Sequence, residues 1–214
     1  MPNRVRIIGG GLAGAEAAWQ LARRGMTIEL YEMRPQRSTE AHAGDNLGEL
    51  VCSNSLRSDL LSAPAGLLKA EMRRLDSIIV RCAEQHRVPA GSALAVDREA
   101  FSADLTETVQ ALPGVRIVRE EVRQIPETGI VIIATGPLTS PALSRQLAAA
   151  LGEEHLYFYD AISPIVTADS IDMELAFRAA RYGKGGDDYL NLPLTREEYD
   201  RFVGALIAAE RVPT

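Results

Sequence analysis

The stretch that decides the fold runs from Arg4 to Glu32 and reads Arg-Val-Arg-Ile-Ile at its start, followed by Gly9-Gly10-Gly11-Leu12-Ala13-Gly14. The apolar residues before Gly9 are typical of a buried parallel strand. An alanine-rich run follows Gly14 and favours a helix. The spacing of Gly9, Gly11 and Gly14 is the G-x-G-x-x-G pattern of a dinucleotide-binding turn. The sequence therefore predicts that the chain opens with a strand, a glycine turn and a helix that bind a nucleotide cofactor.

Each glycine of the pattern has a physical reason to be there. Gly9 permits the tight turn, Gly11 lets a pyrophosphate approach the backbone, and Gly14 lets the helix pack closely on the strand. The helix N-terminus offers unpaired N–H groups and a partial positive charge to the phosphates. Glu32 ends the next predicted strand, about 20 residues after the glycines, where a carboxylate accepts ribose hydroxyls. Because this carboxylate would repel a ribose phosphate, we expect FAD or NAD rather than NADP at this site.

A second glycine turn shifts the expected cofactor from NAD to FAD. The strand predicted over 130–134 ends in Ala134-Thr135-Gly136, and such a strand often returns to the cofactor in FAD-binding proteins. Gly136 would let the backbone pass close to the cofactor. By itself, this stretch favours a strand followed by a plain turn; in combination with Gly9–Gly14 and Glu32 it favours FAD over NAD. The predicted cofactor-binding residues are Gly9, Gly10, Gly11, Leu12, Ala13, Gly14, Glu32, Thr135 and Gly136.

Composition indicates a globular protein with a substantial core. The chain has 214 residues, 46% of them hydrophobic, and a net charge of -6. Residues 101–214 contain 10 Lys and Arg against 17 Asp and Glu, which disfavours indiscriminate nucleic-acid binding. We expect no membrane span, because no apolar run is long enough, and no metal site, because no ligand cluster has metal spacing. Two cysteines and no signal segment suggest a cytoplasmic protein.

The two cysteines lie in different sequence surroundings. Cys52 falls in a long polar loop over 33–65 and is followed by Arg57. Such a thiol either ionises and reacts, or packs as a small hydrophobe under the loop. Cys82 lies on an apolar stripe with Leu68, Met72, Leu75 and Ile79, and is most simply a packed core thiol.

Periodicity predicts the remaining elements. The apolar stripe suggests one helix over 65–86, and Asp97 is a good N-cap for a helix that ends near Leu112. Further helices are expected over 141–151, over 173–181 and from Thr195 onward. Strands are expected around Val115 and Ile117 and at Val122, and an extended segment over 157–166.

Several stretches resemble the bacterial folate- and FAD-dependent tRNA (uracil-5-)-methyltransferases. The more specific ones are Glu-Leu-Val-Cys-Ser-Asn-Ser-Leu-Arg at 49–57 and Tyr-Asp-Ala-Ile-Ser-Pro-Ile-Val at 159–166. The others are 8–14, 31–35, 66–73, 134–137 and 183–190. The related flavin-dependent wobble-uridine modification enzymes resemble the Cys52 segment less.

The resemblance implies a reaction and a catalytic residue. A methylene group of methylenetetrahydrofolate would pass by way of reduced FAD to C5 of a T-loop uridine, position 54 of tRNA, with NAD(P)H as reductant. The implied partners are tRNA and folate. Cys52 matches one of the two family cysteines, and the other is expected beyond Thr214, so we expect the chain to be inactive by itself.

The sequence thus predicts an α/β fold: a Rossmann-like FAD-binding domain and a second, incomplete α/β domain. We assign 1–95 to the first part of the FAD domain with the cysteine loop, 96–140 to its return strands, and 141–214 to the start of a tRNA domain. Two alternatives stay open, a general FAD/NAD(P)H oxidoreductase and an inactive FAD-binding fragment.

Overall fold

The computed structural model describes residues 4–152, 166–180 and 186–210. It divides into two compact units, residues 1–163 and 164–214. The predicted α/β class is confirmed by a parallel sheet that is combined with helices. Helix 141–151 falls within the first unit; the division into a cofactor domain and a tRNA domain at residue 141 stays a prediction.

The strands of the first unit are β1 (Arg4–Ile8), β2 (Thr27–Glu32), β3 (Ser55–Ser58), β4 (Arg87–Val88), β5 (Ala93–Val96), β6 (Val115–Arg119) and β7 (Ile130–Ile133). Four of them form a parallel sheet of order β6-β2-β1-β7. A separate three-stranded antiparallel sheet has the order β3-β5-β4. The helices are α1 (Leu12–Ala22), α2 (Pro64–Arg74), α3 (Ile78–Gln85), α4 (Arg98–Gln110) and α5 (Pro141–Leu151).

One face of the parallel sheet packs on the core. In-register residues Ile7 and Leu30 have no exposed surface, and they join a cluster with Phe101 and Leu105 of α4. The other face carries a buried carboxylate, Glu29, which is paired with arginines on the neighbouring strands. Because β1 lies between β2 and β7, the predicted glycine turn and Thr135-Gly136 meet at the same sheet edge.

Helix α1 is attached to the α2–α3 connection by Trp19. The indole Nε1 donates a hydrogen bond to the carbonyl of Asp76 over 2.8 Å. The guanidinium groups of Arg81 and Arg23 lie 4.5 Å and 5.1 Å from the ring centroid, within cation–π range.

The single helix predicted over 65–86 is wrong, because the chain breaks between α2 and α3. Asp76 adopts a left-handed φ of 58°, and Ser77 accepts a hydrogen bond from the amide of Val80 as the N-cap of α3. Leu68 and Leu75, expected on the buried stripe, are 56% and 66% exposed. The apolar residues keep a helical spacing across the break, so their spacing predicts one continuous helix.

Three further predictions concern Asp97, Val122 and residues 157–166. Asp97 is the N-cap of α4, and its carboxylate accepts from two amides, as predicted. No strand forms at Val122. The extended segment predicted over 157–166 lies outside the described residues, apart from Val166.

The second unit contains a hairpin of β8 (Phe177–Arg178) and β9 (Leu190–Asn191), and α6 (Arg196–Ala208). The helix predicted over 173–181 is wrong over 173–180, where a turn leads into β8; Arg181 lies outside the described residues. Helix α6 begins as expected: Thr195 and Glu198 form a capping box.

Candidate cofactor site

A cavity of about 260 Å³ lies at the edge of the parallel sheet where β1, β2 and β7 end. Eight of the nine predicted cofactor-binding residues line it: Gly9, Gly10, Gly11, Leu12, Ala13, Glu32, Thr135 and Gly136. The ninth, Gly14, lies behind the turn, where a Cβ would collide with the carbonyl oxygen of Gly9. The structure thus places all nine in or directly behind one cavity.

The glycine turn is shaped by the backbone on both sides. Gly9 has a φ of 104°, and a Cβ at this position would lie 2.6 Å from the carbonyl oxygen of Ala134. Its amide donates to the carbonyl of Tyr31 over 2.8 Å. These contacts require glycine here, because any side chain would push β7 away from β1.

Gly11 differs from its neighbours because a Cβ there would meet nothing within 4 Å. It is the N-cap of α1, and the first helical hydrogen bond runs from the amide of Ala15 to its carbonyl over 2.9 Å. The amides of Leu12, Ala13 and Gly14 precede this ladder and have no intrahelical acceptor. Open space beside Gly11 and a helix N-terminus are what a pyrophosphate requires. The residues present therefore fit a dinucleotide.

Glu32 is held at the inner wall of the cavity and is 6% exposed. Its Oε2 accepts from the amide of Gly10 over 3.1 Å, and its Oε1 accepts from the amide and Nε of Arg34 over 3.0 and 2.9 Å. Burial by itself would raise the pKa of this carboxyl, but the hydrogen bonds and charge of Arg34 and the Gly10 amide outweigh it. Its pKa therefore lies below the ordinary 4.5. Glu32 remains an anion, able to accept ribose hydroxyls, across the neutral range.

Thr135 and Gly136 complete the opposite wall. Gly136 has a φ of 58° and a Cβ there would meet no atom within 4 Å. The hydroxyls of Thr135 and Thr139 lie 2.6 Å apart and fix the turn. The backbone therefore stays accessible on this side of the cavity, as a bound cofactor would need.

Cys52 is exposed and follows Val51, which lines the cavity. The segment after it is attached to β5, since Asn54 exchanges hydrogen bonds with the carbonyl and amide of Val96 over 3.1 and 2.9 Å. Among the described contacts, no hydrogen bond or ion pair joins Cys52 to Arg57, the arginine that follows it in sequence. Arg57 has a left-handed φ of 65°.

Cys82 is fully buried, as predicted. Burial raises the pKa of its thiol to about 12, and the charge of Asp104 adds to the effect. A thiol with this pKa is almost entirely protonated at neutral pH and a poor nucleophile.

Sequence reasoning missed several residues that line the cavity. Arg34 and Glu49 belong to it, as does Glu121 from the segment after β6. Arg34 and Glu49 lie within stretches that resemble the methyltransferase family, and this resemblance is the sequence signal that could have identified them as site residues. His42, from the polar loop, also lines the cavity, and its Nδ1 lies 2.8 Å from the hydroxyl of Thr39.

Two further properties concern the whole described chain. Within residues 4–152, 166–180 and 186–210, no helix has the length and apolar character to cross a membrane. The same residues contain no group of three or more His, Cys, Asp or Glu side chains that could hold a metal ion.

The glycine turn, the open helix N-terminus and the buried carboxylate define a dinucleotide-binding protein of the Rossmann-like α/β class. The family model described as "Glucose inhibited division protein A" matches residues 4–213. The chain belongs to this family.

Relatives with known names confirm the resemblance seen in the sequence. The chain is 60% identical over 213 residues to "Methylenetetrahydrofolate--tRNA-(uracil-5-)-methyltransferase TrmFO" of Moorella thermoacetica, covering 100% of this chain and 49% of the relative. It is 58% identical over 214 residues to the protein of the same name from Geobacter sulfurreducens, again covering 100% and 49%. The chain therefore spans about half the length of these relatives.

A solved structure supports the fold alone. GidA of Aquifex aeolicus, in its form II crystal, matches with a TM-score of 0.50 and 18% identity over 63% of this chain and 25% of that protein. The likeness in fold extends over part of the chain.

Proposed function

We propose that the protein is a folate- and FAD-dependent methyltransferase that acts on C5 of a uridine in tRNA. The observation that carries this proposal is the identity of 58–60%, over the whole chain, with relatives that bear that name. FAD supplies the redox chemistry when it is bound, methylenetetrahydrofolate supplies the carbon, and NAD(P)H supplies electrons. The target is uridine 54 of the T-loop, and the reaction takes place in the cytoplasm.

The residues of the cavity bind and orient the cofactor in this proposal. The amides of Leu12 and Ala13 would hold the pyrophosphate, because they lie in the first turn of α1 without an intrahelical acceptor and follow the open position at Gly11. Glu32 accepts the ribose hydroxyls of the adenosine half. Thr135 and Gly136 leave the backbone open to the rest of the cofactor.

Cys52 is the proposed catalytic residue. Uracil C5 is a poor nucleophile until a thiolate adds to C6, and the C5 proton must then be removed by a base. Cys52 is exposed, one residue beyond the cavity wall at Val51. It serves as the nucleophile or the base, and a second family cysteine takes the other role.

The experiment uses protein expressed from the complete gene. We expect a yellow protein with a flavin spectrum that transfers carbon from labelled methylenetetrahydrofolate to tRNA transcripts. A transcript with uridine 54 changed to cytidine is the matched control and should stay unlabelled. Flavin-dependent NAD(P)H oxidation without any labelling of tRNA would favour a general oxidoreductase and overturn the proposal.

A further inference from the structure

Arg34 lies two residues after the end of β2, in the loop that leads to Cys52, and its side chain is only 2% exposed. Its Nε donates to Glu32 over 2.9 Å, and its Nη1 donates to Glu49 over 2.7 Å. The same guanidinium donates to the carbonyls of Gly44 and Asn46 over 3.0 and 2.9 Å. A buried guanidinium with this many acceptors fixes the geometry of all of them.

Glu49 connects this guanidinium to the segment that carries the cysteine. Its carboxylate also accepts from the amides of Ala43 and Gly44 over 2.8 and 3.2 Å. Cys52 follows only three residues later. Arg34 therefore contacts two carboxylates: that of Glu32, in the cavity wall, and that of Glu49, which lies three residues before Cys52.

We propose that Arg34 is a positioning residue: it orients Glu32 toward the ribose hydroxyls of the cofactor and, through Glu49, fixes the segment that leads to Cys52. The inference rests on the proposed FAD-dependent function. Arg34 would serve this function through Glu32 and Glu49, without contact to the atoms that react. This role also explains why a permanently charged, fork-shaped side chain lies in this position.

Arg34 is the charged partner of Glu32 in a cavity that several other carboxylates line, of which Glu121 is paired with Arg37 and Arg123. The carboxylates of Glu49, Glu120 and Glu121 line the same cavity, and a bound dinucleotide would add phosphate charges. Tyr31 and His42 are the other titratable residues of its lining. Arg119, from β6, donates to the backbone carbonyls of Arg34 and Asp45 over 3.2 and 2.7 Å. Arg34 is thus the cation in direct contact with the Glu32 carboxylate among the described residues.

Removal of this cation should make cofactor binding depend on pH. Because burial and the neighbouring carboxylates both disfavour an anion, the pKa of Glu32 would rise in Arg34→Met. Only ionised Glu32 accepts two hydroxyls, so below that pKa the dissociation constant for FAD should rise about tenfold per pH unit. A purely structural role of Arg34 would weaken binding equally at every pH.

The test compares variants of the protein from the complete gene. FAD affinity is measured by quenching of flavin fluorescence from pH 5 to 9 for wild type, Arg34→Met, Arg34→Met/Glu32→Gln, and Arg24→Met as an exposed-arginine control. We expect a flat profile for wild type and Arg24→Met, loss of affinity toward the acid end of this range for Arg34→Met, and a flat, weak profile for the double variant. Hydrogen exchange of the peptide 43–52 should accelerate in both variants that lack Arg34 and stay at the wild-type rate in Arg24→Met.

The outcomes separate the two proposals. A wild-type protein that binds no FAD contradicts the proposed function, whatever Arg34 does. Wild-type binding together with a flat profile and unchanged exchange in Arg34→Met overturns the role of Arg34. If Arg34→Met does not fold, Arg34→Gln takes its place in both measurements, because it also removes the charge beside Glu32 but keeps a polar side chain. Wild-type values for both measurements would overturn the inference.

Discussion

The amide of Gly10 donates a hydrogen bond of 3.1 Å to the carboxylate of Glu32, 22 residues further along the chain. This bond attaches the end of β2 to the glycine turn, so the two parts of the predicted motif form one wall. The bond also fixes the position of Oε2 before any ribose hydroxyl is bound. The same carboxylate is therefore part of the fold and part of the candidate site.

Replacement of Glu32 should change the pH dependence of stability. The pKa of Glu32 is lower in the folded state than the ordinary 4.5, so its contribution is fully present above pH 4.5 and is lost as the pH falls through the folded-state value. We expect the free energy of unfolding of Glu32→Gln to fall less steeply below pH 4.5 than that of wild type. Urea titrations from pH 3 to 7 measure this, and an unchanged slope would contradict it.

Gly11→Val should remove FAD binding but preserve the fold. The added Cβ meets no protein atom within 4 Å, so stability should fall by only about 1 kcal/mol, the cost of a branched residue at an N-cap, but the side chain fills the space that the pyrophosphate requires. Thermal unfolding and flavin content are measured on the same sample. Gly204→Ala, in α6 and equally open, is the control and should keep its flavin. A yellow Gly11→Val protein would place the pyrophosphate elsewhere.

Gly14→Ala should instead damage the fold. A Cβ there collides with the backbone carbonyl of Gly9, which cannot move without displacing the strand-to-helix turn. We expect a loss of about 1–3 kcal/mol of stability, comparable to overpacking in a core. Chemical denaturation measures it, and a stability equal to that of wild type would mean that the turn has room to relax.

The two cysteines should respond differently to substitution. Cys52→Ala should lose methyl transfer and keep FAD, whereas Cys82→Ala should keep transfer and lose roughly 1 kcal/mol of stability as a small core truncation. Single-turnover transfer and flavin content are measured on both variants. Normal transfer by Cys52→Ala would remove Cys52 from the mechanism.

Alkylation gives an independent measurement on the same cysteines. Iodoacetamide should label Cys52, which is exposed, and leave Cys82 unlabelled in the native protein, because Cys82 is buried and its thiol pKa is about 12. Mass spectrometry of the labelled peptides reads this out. Labelling of Cys82 at the same rate as Cys52 would show that the core opens readily.

Local sequence patterns predicted the parts of the site that depend on backbone geometry. The strand before Gly9, the helix after it and Glu32 at the end of β2 follow from spacing, because only glycine fits a turn as close as that between Gly9 and Ala134. Arg34 could not be predicted to be buried, since an arginine in a polar loop ordinarily faces water. Its burial depends on acceptors from 44–49, which come together only in the folded loop.

The break between α2 and α3 shows a second limit of sequence patterns. Leu75 continued the apolar spacing across Asp76, yet it is 66% exposed, because the left-handed residue after it redirects the chain. A serine followed by an apolar run, Ser77 before Ile78, was the available N-cap signal.

The attachment of Trp19 to the Asp76 carbonyl gives the protein a spectroscopic reporter of its own. Trp19 is the only tryptophan in the chain and is 9% exposed. The indole emission of these 214 residues therefore comes from the contact between α1 and the α2–α3 connection. Separation of these elements would expose the ring to water and move the emission to longer wavelength, so fluorescence can follow this contact without any label.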